Sequence, residues 1–566
     1  MNITSSIRRL SLVFMALFIA ASVGLVYWQV VVAQQVASNA ILTLPRKCLP
    51  DATAKRGRIF DRNGVLLAYS ELIPVNTNNP NVGNLCVYQR VYTHPSMAPV
   101  IGYYVSSTFC AETPFCEAGV EKQFDDYLSG SVGVTGLNNT VNKALHVPTV
   151  GDDIYLTIDV RIQDLLQKDF PIESTGASVF PTDRGSVIVS DPHTGEILGM
   201  YSNPTYDSNR IASGDLDYLS SLLKDPKQPL LNRAINSCYV PGSVYKTVSL
   251  MAGLDSGKFT LDTPFYDDND PNHLQARIVR LGEGDNTETF GPVGNNIDGY
   301  THNFPVSTFY GFSHSDNIIF AQVGVHTGAQ TWLDYNHALY VGKQIPFDLP
   351  VNVSTVTPQP QKNLCATTPP PDTSLSVVQL AENAFGQGVD FITPLQMTLV
   401  DNVAANDGQL MRPTLIEKIV DPSQSVLKSF SATSLGNPIS QQTASEVRDS
   451  MYGVVSCGSG SLTRVQLTYP YVPWSVIGKT GTGQVNGTGT PAESWFITAA
   501  PYTYQSNEKP AITIVAMKEN GGEGAFATGP MLRALYNSIF SQGLVKAQQS
   551  PQPDPNFCVN VGLLGH

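Results

Sequence analysis

The sequence predicts a mixed α/β protein, in which an apolar N-terminal segment and a small β-rich domain precede one large domain of helices and strands. Three observations carry this prediction: an uncharged apolar run over residues 10–33, two short apolar stretches flanking Asn63-Gly64, and strand-like periodicity giving way to amphipathic helical periodicity from Asp152 onward. At 566 residues and 42% hydrophobic content, the chain can build two or three packed domains. Its net charge of -13 argues against a nucleic-acid surface, which needs clustered Lys and Arg.

Residues 1–9 carry Arg8 and Arg9, and the run over 10–33 that follows is long enough to cross a bilayer and includes an interfacial Tyr27-Trp28 pair. A cleaved signal peptide would have a shorter apolar core, so a retained single-pass anchor in the cell membrane is expected. The positive-inside rule leaves the N-terminus cytoplasmic and the rest of the chain outside. Eight cysteines, Cys48, Cys86, Cys110, Cys116, Cys238, Cys365, Cys457 and Cys558, form no CxxC pair. With no zinc-like spacing among the histidines, no metal and no cofactor are expected. Cys110 and Cys116 could close a local disulfide loop in an oxidising compartment, but about 105 pairings of eight cysteines are open.

A pedestal domain is expected over 34–150, opening with RGRIFDRNGVLLAYS, where Asn63-Gly64 suits the positive φ of a tight hairpin turn. One helix is expected around Glu117 to Leu128. The large domain then covers 151–545. DDIYLTIDVRIQDLLQKDF reads as a strand and an amphipathic helix, and RGSVIVSDPHTGEILGMYS as two strands joined at His193 to Gly195. A Pro-rich stretch over 357–374 reads as an exposed insertion, and 546–566, containing QQSPQPDPN, as a flexible tail.

Three short motifs could carry chemistry. In YVPGSVYKTVSLMAGL, Pro241-Gly242 ends an extended approach and Ser243 starts a helix, so Lys246 falls on the same side of its first turn. That is a hydroxyl nucleophile with an amine in reach. SxxK alone is weak, since it recurs at Ser221 to Lys224 and Ser425 to Lys428, where exposed side chains are the plain reading. The second motif is Ser315-Asp316-Asn317 before an apolar helix, which an ordinary N-cap would also explain. The third is Lys479-Thr480-Gly481-Thr482. It resembles a phosphate loop only superficially, because Pro473 stands where such a loop needs glycine and Trp-Ser-Val-Ile before Gly478 suits a strand. On a strand Thr480 and Thr482 share a face and Lys479 points to the other. The joint order of the three motifs is far more specific than any one of them.

With these motifs the chain resembles the class B penicillin-binding proteins, membrane-anchored D,D-transpeptidases of bacterial cell-wall synthesis. RGRIFDRNGVLLA, GVEKQFDDYLSG, GSVIVSDPHTGEILGM, FGQGVDFITPLQM, AANDGQLMRP and AESWFITAAP are similar to further segments of that family, from Arg56 to about Gln542. The resemblance implies a penicillin-binding transpeptidase, serine β-lactamase-like fold, with an antiparallel sheet flanked by helices and a dimerisation-like pedestal. Class A β-lactamases also carry SDN, but WLDYN at Trp332 to Asn336 lacks the glutamate that would activate a deacylating water.

The resemblance further implies that Ser243 attacks the penultimate D-alanine carbonyl of a peptidoglycan stem ending in D-Ala-D-Ala, and that β-lactams acylate the same serine. Lys246 would be the neutral base, its pKa depressed by burial and by Lys479. Ser315 would relay the proton, and Asn317 would hold Lys246 and the substrate amide. Thr480 and Thr482 would take the terminal carboxylate, and Gly481 would leave room for the substrate backbone. The backbone N–H groups of Ser243 and Thr482 would form the oxyanion hole. A SEDS-type glycan polymerase in the membrane is the implied partner, since no glycosyltransferase domain precedes this one. The alternative is a sensor or scaffold that binds stems or β-lactams without turnover and activates such a polymerase.

Overall fold

The computed structural model describes residues 3–27, 55–75, 85–106, 116–132, 150–174, 179–265, 277–281, 288–293, 306–359, 365–368, 374–461, 466–484 and 490–563. The first helix, Ile3–Val26, presents Leu12, Phe14, Leu17, Phe18 and Leu25 as exposed side chains. Among the described residues no helix is long and apolar enough to cross a membrane. The expected anchor over 10–33 runs past Tyr27, and its remainder, with Trp28, lies outside the described residues.

The hairpin forms where Asn63-Gly64 predicts it. Ile59–Phe60 pairs antiparallel with Leu66–Val75, and Gly64 sits at φ 80°, where a side chain would be strained. The buried Asp61 carboxylate holds the turn by accepting from the N–H groups of Asn63 and Val65, both at 2.8 Å. The expected helix over 117–128 appears as two short pieces, Gly119–Gln123 and Asp125–Leu128. Its Glu121 is fully buried and is paired by Arg56 of the hairpin segment and by Arg90. A buried carboxylate is tolerable only when so paired, and this one ties two of the family-like segments into one core.

Six strands make the pedestal sheet, in the order Val426–Ser429, Ile416–Val420, Asp153–Leu156, Ile59–Phe60, Leu66–Val75, Leu85–Tyr92. The sheet therefore draws strands from both sides of residue 150, where the sequence places a domain boundary. Asp153–Leu156 pairs with Ile59–Phe60 on one side and Ile416–Val420 on the other.

The second sheet is antiparallel throughout, in the order Ile477–Gly483, Glu493–Ala500, Ile512–Lys518, Gly185–Ser190, Ile197–Asn203. Its middle strands read as continuous apolar runs because both faces are covered. Val187, Val189 and Ile514 pack with Leu166, Leu532 and Leu535 of helices Val160–Asp169 and Gly524–Ser541. Ile188, Ile497 and Val515 point the other way, into a core shared with Met397 and Val400 of helix Pro394–Ala405. The strand Ile477–Gly483, carrying Lys479, is left on the edge.

One expectation about a loose segment is corrected. The segment after helix Gly524–Ser541 is not a flexible tail: Cys558 is bonded to Cys457, Phe557 packs edge-on against Tyr452 and Tyr504, and Leu563 is fully buried. Polar composition hid three anchoring side chains. The Pro-rich stretch is exposed at Pro358, Thr367, Thr368 and Ser374, in keeping with an exposed insertion, and it is fastened by the Cys365–Cys238 disulfide and the bridge from Ala366 to Val353. Residues 360–364 and 369–373 of that stretch lie outside the described residues, as does Cys110 of the expected local loop; Cys116 is itself disulfide-bonded.

Candidate active site

The three motifs meet at the open edge of the second sheet. Tyr239 pairs with Ile392, bringing the chain in extended, and Gly242 turns it at φ 56°. The turn Gly242–Tyr245 is a 3-10 helix, and the α-helix Lys246–Asp255 begins only at the lysine, one turn later than the sequence predicts. Glycine is required at 242, because a Cβ there would stand 2.4 Å from the Thr482 carbonyl oxygen. Gly386 takes φ 81° for a matching reason: its Cβ would lie 2.0 Å from the Gly242 carbonyl oxygen. The nucleophile turn is thus held between the lysine strand and the FGQG segment.

Ser243 is partly exposed, and Lys246 behind it is fully buried. The Lys246 Nζ lies 3.0 Å from Ser243 Oγ, 2.6 Å from the Ser315 carbonyl oxygen, 2.7 Å from Asn317 Oδ1 and 3.2 Å from Ser315 Oγ. Asp316 does what an N-cap does, accepting from the N–H groups of Ile318 and Ile319 to start the helix Asn317–Thr327. Ser315 just before it is held at φ 61°, a region L-residues seldom enter, and this turns its hydroxyl towards the two lysines.

Lys479 comes from the strand face predicted for it. Its Nζ donates to Ser315 Oγ at 2.8 Å and to the Thr480 carbonyl oxygen at 3.0 Å. Burial pushes the Lys246 ammonium down to about 7, against the opposing pull of Asp316. Lys479 is also held well below the usual lysine range, first by burial and then by Lys246. Burial is therefore the main cause at both amines, and repulsion by Lys246 adds to it at Lys479; the sequence reading named Lys479 beside burial as the cause at Lys246.

Gly481 is confined as closely as Gly242: a Cβ on it would meet the Pro241 carbonyl oxygen at 2.8 Å and the Val244 nitrogen at 2.9 Å. The Thr480 hydroxyl lies 2.8 Å from Ser459 Oγ, and Thr482 Oγ1 accepts from the Gly524 N–H at 3.3 Å. Gly524 opens an 18-residue helix, so the positive end of its dipole lies against Thr482. The other SxxK matches are excluded, since Ser221, Lys224, Ser425 and Lys428 are all exposed and apart from this cluster.

Sequence reasoning missed two polar contributors. Gln387 donates to the Thr482 carbonyl oxygen at 2.8 Å and accepts from the Gln484 N–H at 3.2 Å, clamping the end of the lysine strand. Ser459 sits in a GSGS loop that looks like an ordinary turn. Gln387 lies in the family-like FGQG segment and could have been singled out there, whereas nothing local distinguishes Ser459. Among the described residues no group of His, Cys, Asp and Glu could hold a metal.

Residues 185–537 match the penicillin binding protein transpeptidase domain family. Over 543 residues the chain is 28% identical to the peptidoglycan D,D-transpeptidase PbpA of Mycolicibacterium smegmatis, covering 94% of this chain and 96% of that one. It is 25% identical to the peptidoglycan D,D-transpeptidase MrdA of Escherichia coli strain K12, covering 76% of this chain and 66% of that one. Among solved structures, the ceftriaxone acyl-enzyme complex of penicillin-binding protein A from M. tuberculosis superposes with a TM-score of 0.68 at 25% identity, covering 86% of this chain and 98% of that chain. On sequence, fold and motif geometry together, the chain belongs to the penicillin-binding protein transpeptidase family.

Proposed function

We infer that the protein is a serine-type peptidoglycan D,D-transpeptidase that crosslinks stem peptides through an acyl-enzyme and is inhibited by β-lactams acylating the same serine. The observation that carries this reading is the partly exposed Ser243 hydroxyl 3.0 Å from a buried amine whose pKa is brought to about 7. Near neutral pH a large share of that amine is unprotonated and can accept the hydroxyl proton.

The residues divide the work as follows. Ser243 Oγ bonds to the carbonyl carbon of the penultimate D-alanine and its proton passes to Lys246. The negative charge on the carbonyl oxygen is met by the N–H groups of Ser243 and Thr482, whose backbones lie side by side. Collapse breaks the C–N bond to the terminal D-alanine, and the proton moves from Lys246 through Ser315 to the leaving nitrogen. The amine of a second stem then attacks the ester carbonyl and gives a proton through Ser315 to Lys246; the C–O bond to Ser243 breaks, and Lys246 returns the proton to Ser243 Oγ. Asn317 fixes Lys246 through its Oδ1 and presents its amide to the substrate. Thr480 and Thr482 receive the terminal carboxylate, with Gly481 giving the substrate backbone room along the edge strand. A bound carboxylate beside Thr480 draws the shared proton to Lys479 and leaves Lys246 free as the base.

Two disulfides, Cys238–Cys365 and Cys457–Cys558, support an oxidising, extracytoplasmic location for the catalytic domain. The uncharged run over 10–33, preceded by Arg8 and Arg9, supports a single-pass anchor with a cytoplasmic N-terminus. Such an anchor could also dock a SEDS-type polymerase in the same membrane. The domain limits we propose are 34–150 for the pedestal, completed by strands from Asp153–Leu156 and Ile416–Ser429, and 151–545 for the transpeptidase.

Labelling with a fluorescent penicillin, followed by intact mass, tests the reading. The wild-type ectodomain gains one covalent adduct and Ser243→Ala gains none; an unmodified wild-type protein after prolonged exposure refutes the assignment.

A further inference from the structure

The loop after helix Gln441–Ser456 touches both halves of the site. Ser459 N–H donates to the Ser313 carbonyl oxygen at 3.0 Å, two residues before Ser315, and Ser459 Oγ lies 2.8 Å from Thr480 Oγ1. The backbones are in close approach here, since a Cβ on Gly458 would stand 1.8 Å from the Ser313 carbonyl oxygen. The C-terminal segment fixes this loop from behind. Cys457, at the start of the loop, is bonded to Cys558, and the His314 Nε2 lies 2.8 Å from the Leu563 carbonyl oxygen. Leu563 itself is buried against the helix that delivers the loop, at Gly453.

A carboxylate has no proton, so a threonine hydroxyl that binds it must donate to it. Thr480 can do so only if its oxygen accepts from Ser459 rather than donating to it. We propose that Ser459 is a positioning residue for the substrate carboxylate, setting the Thr480 hydroxyl as a donor, and that the C-terminal segment is the clamp that holds Ser459 in place. This rests on the transpeptidase reading above. Donating into the Thr480 oxygen also makes the remaining O–H a stronger donor, since chained hydrogen bonds polarise one another.

The test compares two acylating probes on the full-length protein: benzylpenicillin, which carries a carboxylate, and its methyl ester, which does not. Ser459→Ala is expected to slow acylation by benzylpenicillin about fivefold to tenfold, the scale of one hydrogen bond to a charged group, and to leave the methyl ester rate unchanged. Ser459→Thr, which keeps the hydroxyl, restores the carboxylate preference. The Cys457→Ala/Cys558→Ala double variant loses part of the same preference. Equal losses with both probes, or no loss with either, overturn the positioning role of Ser459. A double variant with the wild-type ratio of rates overturns the clamp. If wild type reacts with neither probe, the transpeptidase reading fails instead, which separates the two.

Discussion

Lys246 and Lys479, from elements far apart in the chain, place their amines on a single oxygen: Ser315 Oγ lies 3.2 Å from the one and 2.8 Å from the other. Both side chains are fully buried. Two cations that close in a dry site repel strongly, so the pair is driven towards one proton rather than two, and it titrates as a unit. A neutral amine and a charged one on either side of a hydroxyl are what a proton relay requires.

The first consequence concerns pH. With Lys246 near 7, acylation of Ser243 by benzylpenicillin should rise about tenfold per pH unit below that value and level off above it. Stopped-flow acylation rates between pH 5 and 9 check this, and a flat profile over that range contradicts it.

Stability should carry the same signature. The unfolded Lys246 has its ordinary pKa of 10.5 and the folded one about 7. Between those values the unfolded chain binds a proton that the folded one releases, so falling pH favours unfolding across this window and has no further effect below 7. Wild type should therefore lose stability relative to Lys246→Met as pH falls from about 10 to 7, by denaturant titration, and the difference should be constant from 7 to 6.

Removing Lys479 relieves the repulsion felt by Lys246. In Lys479→Met the rising limb of the acylation profile should move to higher pH, and the rate with benzylpenicillin at pH 7 should fall about tenfold or more as the carboxylate loses its cation. An unshifted profile would mean that burial alone sets the Lys246 pKa.

Gly242 tests the contact between the nucleophile turn and the lysine strand. Gly242→Ala meets both a positive φ and the Thr482 carbonyl oxygen. We expect about 1–3 kcal/mol of lost stability and a larger proportional loss of acylation, because the turn must move away from the strand. Penicillin labelling at wild-type level in this variant would falsify the account of the turn.

The end of the chain offers a stability measurement. Leu563 is fully buried, so Leu563→Ala should cost about 2–4 kcal/mol if its part of the fold unfolds with the rest. A loose tail, as its composition reads, would leave the unfolding midpoint where it was.

The three motifs, the strand character of the lysine segment and the hairpin at Asn63-Gly64 could all be read from local pattern, because each rests on spacing or periodicity within a few residues. The motif order then pointed to one site, and the geometry assembles all of its members, Ser243, Lys246, Ser315, Asn317 and Lys479 with Thr480, Gly481 and Thr482. What the linear pattern could not supply was anything set by contacts between distant segments. Ser459 acquires its role only from the strand it touches, Glu121 only from two arginines brought to it, and the pedestal sheet only by borrowing strands from beyond its expected boundary. Polar composition made 546–566 look free, but whether a chain end is held depends on a few buried groups, here one disulfide and two apolar side chains, meeting a surface that exists only after folding. The candidate reacting groups were thus legible in the sequence, whereas their proton affinities came from burial, which only tertiary packing decides.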